Sequence, residues 1–420
     1  MRRRPAIAAQ SAAARDWRAG ALSAVVIAAV MFNFVLCFVN TNMFRTSAGL
    51  VIATELVLIA TTLLLMIGRG FDLFVILAVY VAYSIFLGAL QGSFDPKPAR
   101  DLMIPVIFYF AARELGSRED GDRLVWISIS IVLVVGLFEY AFLKQYVKIF
   151  DILGYYVSRG TVQAAAAELS EDRLFASGMR YEGRTLLPVL GEHRVSSVFL
   201  EPVSVGNFGA ICFAWITLRN WGRPLRMLVR LLPVITIFVL ADARFGLAVS
   251  LLSILVYAVA AHTSRAVVVA APFALIVTLA WIGYSFPDVA WDNTLRGRIL
   301  LSGQMLSALS FDDVFAFVRN DRFTSDSGYA YTMVKIGLAG FVGMWSLFVI
   351  APARDLASWR YRAFAAAYMT LLLVISNSIY SIKTAALLWY LVGALDAPPQ
   401  PAHAPAAQAL ARGRPRLRPA

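Results

Sequence analysis

The chain has 420 residues, of which 60% belong to the AVILMFWYC set and only 15% are charged, with a net charge of +12. Soluble domains carry about 45–50% apolar and about 25% charged residues, so an ordinary water-soluble enzyme is excluded. Apolar runs of roughly 20 residues, each able to cross about 30 Å of hydrocarbon as helix, point to an all-α polytopic integral membrane protein. Basic residues orient such helices before they bind any partner, so the positive charge is not read as a sign of nucleic acid.

Taken in chain order, Arg2, Arg3 and Arg4 have the basic start of a signal peptide, but the apolar stretch 21–39 is too long for one and lacks a small-residue cleavage site. It reads as an uncleaved first span. Further spans are expected at about 48–67, 71–91, 101–113, 123–143, 195–217, 227–241, 245–261, 266–286, 329–351, 362–378 and 380–395. That makes about 12. Three places can move the count to 11 or 13: the short fourth span with Pro105, the break Asp242-Ala243-Arg244, and the narrow gap at Ser378–Ser381. Cys37 and Cys212 fall inside apolar runs and imply no disulfide framework.

With the N-terminus inside, over half of the 38 Lys and Arg fall on the cytoplasmic side, and the short outer turns hold only Arg45, Lys97, Arg100 and Arg244. Both termini are therefore expected in the cytoplasm. Two long loops, about 144–194 and 287–329, then lie on the outer face. The first reads as an Ala-rich helix between Val162 and Ala176. The second carries Ile299, Met305, Leu306 and Leu309 at helical spacing, as in an amphipathic helix lying on the membrane surface. Residues 1–395 form the membrane-embedded domain, and 396–420, rich in Pro, Ala and Arg, a disordered basic cytoplasmic tail.

Charges inside spans are expensive and usually face a cavity or a partner. Here Glu55, Glu139, Glu201, Asp242, Arg244, Lys335 and Lys383 gather toward outer ends, whereas the inner halves hold only end charges such as Arg226 and Arg230. Glu55 is roughly 12 Å below its span's end at 1.5 Å per residue. The distribution predicts a polar cavity open to the outer leaflet. The blander reading pairs these groups with each other, Glu55 with Lys383 or Glu139 with Lys335. The richest stretch runs from His193 to Pro202, where Arg194, Ser197 and Glu201 are spaced to share one helical face and Pro202 is placed to kink the span. An Arg at the mouth with a Glu one to two turns deeper suits an anionic group held above a general base. The alternative is an Arg anchored at headgroups with Glu201 bonded to a neighbouring helix.

At these residues the chain resembles the Wzy-type polysaccharide polymerases, within the superfamily that includes O-antigen ligases, and most of all the exopolysaccharide polymerases of xanthan-like clusters. Three pieces carry the resemblance: R-x-x-S-x-F-x-E-P at Arg194–Pro202 followed by Gly206 and Asn207, the Arg244-Phe-Gly turn, and Asp326-Ser-Gly-Tyr329 opening a span with Gly337, Gly340 and Gly343. The resemblance implies glycosyl transfer, without metal or other cofactor, between undecaprenyl-diphosphate-linked repeat units in the periplasm. Partners implied are the lipid bilayer, a flippase, and chain-length and export proteins. Arg194, Glu201, Arg244 and Asp326 become the catalytic candidates. His193, Ser197, Arg180, Arg184, Arg296, Arg298, Tyr329, Lys335 and Lys383 become candidates for substrate binding. A departing diphosphate needs positive charge, available from Arg194, Arg244, Lys335, Arg296 or Arg298. The acceptor hydroxyl needs a base, for which Glu201 comes first, with Asp326 or His193 in reserve. Tyr329, Trp281, Tyr284 and Trp291 are placed to stack on sugars or to anchor at the membrane interface.

The ligase branch places a histidine in its second large loop, and residues 287–329 have none. Asp120-Gly-Asp122 reads as part of a solvated connection rather than a metal site, and His262 and His403 as incidental. A lipid-oligosaccharide flippase or transporter, and a ligase-like glycan transferase, stand as the alternative functions. A flippase has to expose its charged cavity to both sides and has little use for two long loops on one face.

Overall fold

The computed structural model describes residues 4–163, 173–175, 177–292, 294–320, 324 and 326–398. The Ala-rich stretch of the first long loop falls for the most part outside these residues, as does the tail from 399 with His403. The described chain is helical, and its one strand-like pairing is an isolated bridge between Met179 and His193.

In order, the helices are α1 (Arg4–Asn42), α2 (Ala48–Leu65), α3 (Phe71–Leu90), α4 (Pro96–Leu115), α5 (Arg118–Ala141), α6 (Leu143–Ile149), α7 (Ile152–Ser158), α8 (Pro202–Arg219), α9 (Pro224–Ala241), α10 (Arg244–Val259), α11 (Arg265–Ser285), α12 (Leu295–Ser307), α13 (Phe311–Val314), α14 (Gly328–Ile350), α15 (Leu356–Ile375) and α16 (Ile382–Asp396). Starts follow local chemistry. Ser47, Ser117, Ser264 and Thr294 each cap an N-terminus by accepting a backbone N–H, and Asp355 does so for α15. Pro stands at the first turn of α4, α8 and α9, where no N–H is needed.

Among the described residues, 7 helices are long and apolar enough to cross a membrane: α1 (from Trp17), α2, α3, α5, α9, α11 and α14. A multi-pass membrane protein follows from these. The other expected spans coincide with α4, α8, α10, α15 and α16, which are shorter or carry charge. In α4, for example, Lys97, Arg100 and Asp101 occupy the first turns. Helix ends gather at two poles. At one, Thr41 Oγ1 accepts from the backbone of Asp151, and Asn42 donates to Ile149. At the other, Arg118 meets Asp355 and Leu395, and Arg265 donates to Ile350. We call the first the loop pole, because α6, α7 and the segment before α8 are bound there.

α16 is buried along its whole length and α8 along nearly all of its own, so these two form the centre. α2, α3 and α11 lie outside and expose apolar side chains such as Val57, Val79, Val277 and Trp281, which in water would be a liability and in lipid is a solvated surface. Small residues let backbones approach: a Cβ on Gly393 would collide with the Tyr109 carbonyl of α4, and one on Gly246 of α10 with the backbone of Gly206 in α8.

Two expectations change here. Helix α12 stops before Leu309 and does not lie free with an apolar face. Its Gly303 packs on the backbone of α11 at Gly283, Ser302 Oγ lies 2.6 Å from Ser327 Oγ, and Leu306 is buried. Asp120 and Asp122 belong to the first two turns of α5 rather than to a solvated connection. Asp122 accepts from Trp215 at 2.9 Å and from Arg219 at 2.7 Å.

α14 is broken at Gly337, whose φ of 76° is open to glycine but not to other residues without strain. Tyr83 of α3 donates to the freed Ile336 carbonyl at 2.7 Å. Tyr329 and Phe341, more than three turns apart in sequence, bring their ring centroids to 6.3 Å, so the two half-helices fold toward each other.

Candidate functional site

The segment before α8 does not continue the helix. Ser197–Phe199 is a single 3₁₀ turn, Ser197 and Leu200 have positive φ, and Glu201 is extended. Arg194, Ser197 and Glu201 therefore do not share a helical face, and Pro202 starts α8 instead of kinking a span. The physical reason is a carboxylate from another helix. Glu139, two residues before the end of α5 and fully buried, accepts Ser196 N at 2.9 and 3.0 Å, Ser197 N at 2.5 Å and His193 Nε2 at 3.1 Å. These N–H groups would have been used up inside a helix.

Glu201 emerges from this turn. Its Oε1 accepts from Tyr156 of α7 at 2.7 Å, and its Oε2 from Lys383 of α16 at 2.7 Å and Ser204 at 2.8 Å. The Lys383 side chain is 7% exposed and that of Glu201 25%, so Glu201 is the less buried partner of the pair. Beside it stands a second cluster. Arg100 of α4 pairs with Glu55 of α2 and with its neighbour Asp101 (2.6 Å), and Tyr331 of α14 donates to Asp101 at 2.9 Å. Glu55 feels the charges of Arg100, Asp101, Arg159 and Lys383, so the two clusters are electrostatically one group. Arg159 closes it, resting on the rings of Tyr155 and Tyr156 at 5.2 and 5.3 Å. The pairings differ from those read in the sequence: Glu55 meets Arg100 rather than Lys383, and Glu139 meets His193 rather than Lys335, which faces Asp95 at 3.4 Å.

The arginines of the first long loop are scaffold in this structure. Arg194 donates to the carbonyls of Ser177 (3.0 Å), Ala241 (3.2 Å) and Asp242 (3.4 Å), and Arg184 to those of His193 (2.9 Å), Val239 and Leu240 (2.8 Å). Arg180 pairs with buried Asp242, which also accepts from the N–H groups of Thr185 and Leu186. Burial, with the nearby positive charge of Arg180, pulls the Arg194 guanidinium down to about 10, and burial lowers Arg184 as well. Ser197 gives its hydroxyl to the Val132 carbonyl at 2.7 Å.

Other candidates stand elsewhere. Asp326 lies 4.0 Å from Arg298. Arg244 and Arg296 are exposed. Tyr329 is fully buried and donates to the Thr370 carbonyl, so it offers no ring to a sugar, while Trp281, Tyr284 and Trp291 are exposed as interface anchors would be. The sequence reading missed Tyr156, Arg159, Ser204 and Arg100 as neighbours of Glu201 or Glu55. Ser204, three residues from Glu201, is the one that local spacing could have supplied; Tyr156 and Arg159 come from α7 and its C-cap, and Arg100 from α4.

The intramembrane asymmetry is also smaller than the sequence implied. At the opposite pole Arg362, 1% exposed, pairs with Asp396, which further accepts from Ser358 and Tyr109. Between the poles, an apolar cavity of about 210 Å³ is walled by α3, α4, α14, α15 and α16, including Leu102, Phe341, Trp345, Trp389 and Tyr380. Tyr380 bonds Thr332, and its ring sits 5.7 Å from Tyr331, so the cavity ends at the Asp101 cluster. No group of His, Cys, Asp and Glu among the described residues is arranged to hold a metal ion. In comparisons with protein-family models, curated proteins and solved structures, nothing matched this chain.

Proposed function

We propose that the chain is a membrane glycosyltransferase of the polysaccharide-polymerase type. It joins oligosaccharide units carried on undecaprenyl diphosphate, at the periplasmic face of a bacterial inner membrane, with twelve spans and both termini in the cytoplasm. The observation that carries this reading is the Glu201 carboxylate at the loop pole, its side chain 25% exposed, paired with Lys383 and bonded to Tyr156, on whose ring Arg159 rests. A hydroxyl of the acceptor unit attacks the anomeric carbon of the donor. The bond from that carbon to the diphosphate oxygen breaks, the lipid diphosphate leaves, and Glu201 takes the hydroxyl proton. Cations near the site neutralise the leaving group, and its isoprenoid chain is suited to the apolar cavity. No metal is assigned to the transfer.

Arg194 and Arg184 serve this reading by holding the loop over the site, and exposed Arg244 and Arg296 by meeting the diphosphate from outside. The test is purified protein mixed with lipid-linked units in detergent, with no ion gradient. A ladder of extended glycan is expected, with Arg194→Ala folded but inactive and Glu201→Gln folded and slowed by about 10²–10⁴-fold. Unchanged substrate in a folded wild-type sample would refute the assignment. Intramembrane ions at both poles, and not at one alone, leave a lipid-oligosaccharide flippase as the second reading. Translocation in vesicles without extension would select it.

A further inference from the structure

We infer that Glu139 is a positioning residue for Glu201, acting through the backbone of the segment between them and touching no substrate. The activity arm of this inference rests on the polymerase reading above. Ser196 is right-handed (φ −100°, ψ −24°) and Ser197 is left-handed (φ 48°). Successive residues in these two conformations turn their N–H groups to one side and form a concavity for an anion. In this protein the anion is internal. Both oxygens of Glu139 are used, one shared between Ser196 N and His193 Nε2 and the other between Ser196 N and Ser197 N.

A left-handed serine is strained and persists only where its surroundings over-determine it. The surroundings here do so from α5 and α6. Ser197 Oγ donates to Val132, Tyr146 donates to the Ser197 carbonyl at 3.1 Å, and Gly136 leaves room for Val195 and Ser197 where a Cβ would come within 3.1 Å of Val195. From this fixed point the chain makes one turn, passes Leu200 at φ 62°, and delivers Glu201 at the start of α8 between Tyr156 and Lys383. Loss of the Glu139 charge frees the turn, and Glu201 loses its set direction.

The test compares wild type, Glu139→Gln, Glu139→Asp, Glu201→Gln and the double variant Glu139→Gln/Glu201→Gln, as full chains in nanodiscs. Hydrogen exchange over residues 193–200 is expected to speed up at least tenfold in Glu139→Gln, with the thermal midpoint within a few degrees of wild type. In glycan extension, kcat is expected to fall about a hundredfold with KM within threefold, and Glu139→Asp to recover part of the loss. The double variant is expected to be no slower than Glu201→Gln alone. Wild-type exchange in Glu139→Gln, wild-type kcat, or losses that multiply in the double variant would each overturn the inference. If Glu139→Gln does not fold, Glu139→Asp carries the same comparison, since it keeps the charge and shortens the reach. If wild type extends no glycan, the polymerase reading fails, and the exchange arm still decides whether Glu139 holds the turn.

Discussion

The Glu201–Lys383 pair makes the sharpest stability test of the site. Breaking a buried ion pair by removing one partner costs about 3–5 kcal/mol, because a charge is left without compensation. Lys383→Met leaves Glu201 with Tyr156 and Ser204 as donors and with a quarter of its side chain in contact with solvent. Hydrogen bonds to a charged group are worth about 1.5–3 kcal/mol each, so this variant is expected to lose only about 2 kcal/mol. Glu201→Gln strands an ammonium that is 7% exposed and is expected to lose about 3 kcal/mol. Combining the two removes both charges, so the double variant is expected to be about 2 kcal/mol more stable than the sum of the singles implies. SDS-driven unfolding in mixed micelles measures all four proteins. Effects that add to within about 0.5 kcal/mol would show that the two groups do not interact, and the site as described would be wrong.

Other expectations follow from single contacts. Gly246→Val drives a side chain into the Gly206 backbone and is expected to cost at least about 1–3 kcal/mol, read in the same unfolding assay. Tyr83→Phe strips the Ile336 carbonyl of its donor at the break in α14, for an expected loss of about 1–3 kcal/mol. Arg194→Lys keeps the charge but cannot reach three carbonyls at once. Faster limited proteolysis around Ser177 and Asp242 is the expected result, and a wild-type pattern would speak against the strut role. For pH, burial raises the Asp355 carboxyl, but the Ser358 N–H and Arg118 outweigh it, and the folded group titrates below its ordinary value. Its stabilisation is thus present above the unfolded carboxylate range and is lost as pH falls through the lowered folded value. The side chain is 41% exposed, so the contribution is about 0.2–1 kcal/mol, and Asp355→Asn should flatten the acid limb of a stability–pH profile by no more than that.

The helices were legible because length and continuous apolarity suffice to define them in lipid. The expected 48–67 and 71–91 are Ala48–Leu65 and Phe71–Leu90. The fourth span reads short, at 101–113, because hydropathy rejects Lys97 and Arg100. The helix begins at Pro96 all the same, since Asp95 caps it and Arg100 finds two carboxylates. The stretch 194–201 could not be read correctly from spacing. A serine at positive φ carries no signature in sequence, and the partner that enforces it, Glu139, lies far away in the chain. The identities of ion-pair partners were illegible for the same reason. They depend on which helices become neighbours.

Charges inside spans are by themselves a weak guide to a site, and the two poles show why. Each holds buried ions: Glu201 with Lys383 at one, Asp396 with Arg362 at the other. Burial alone does not separate a structural pair from a working one, since both kinds must be satisfied to exist in an apolar medium. Access does. The Asp396 side chain is 4% exposed and accepts from Arg362, Ser358, Tyr109 and the Arg354 backbone, so a ligand would have to break a closed network to reach it. Glu201 is held by fewer donors, and its side chain is 25% exposed at the pole where exposed Arg244 follows the Asp242 turn. A carboxylate that solvent reaches in part can exchange a proton with something that arrives. That difference in access is the physical ground on which chemistry is proposed at Glu201 rather than at Asp396.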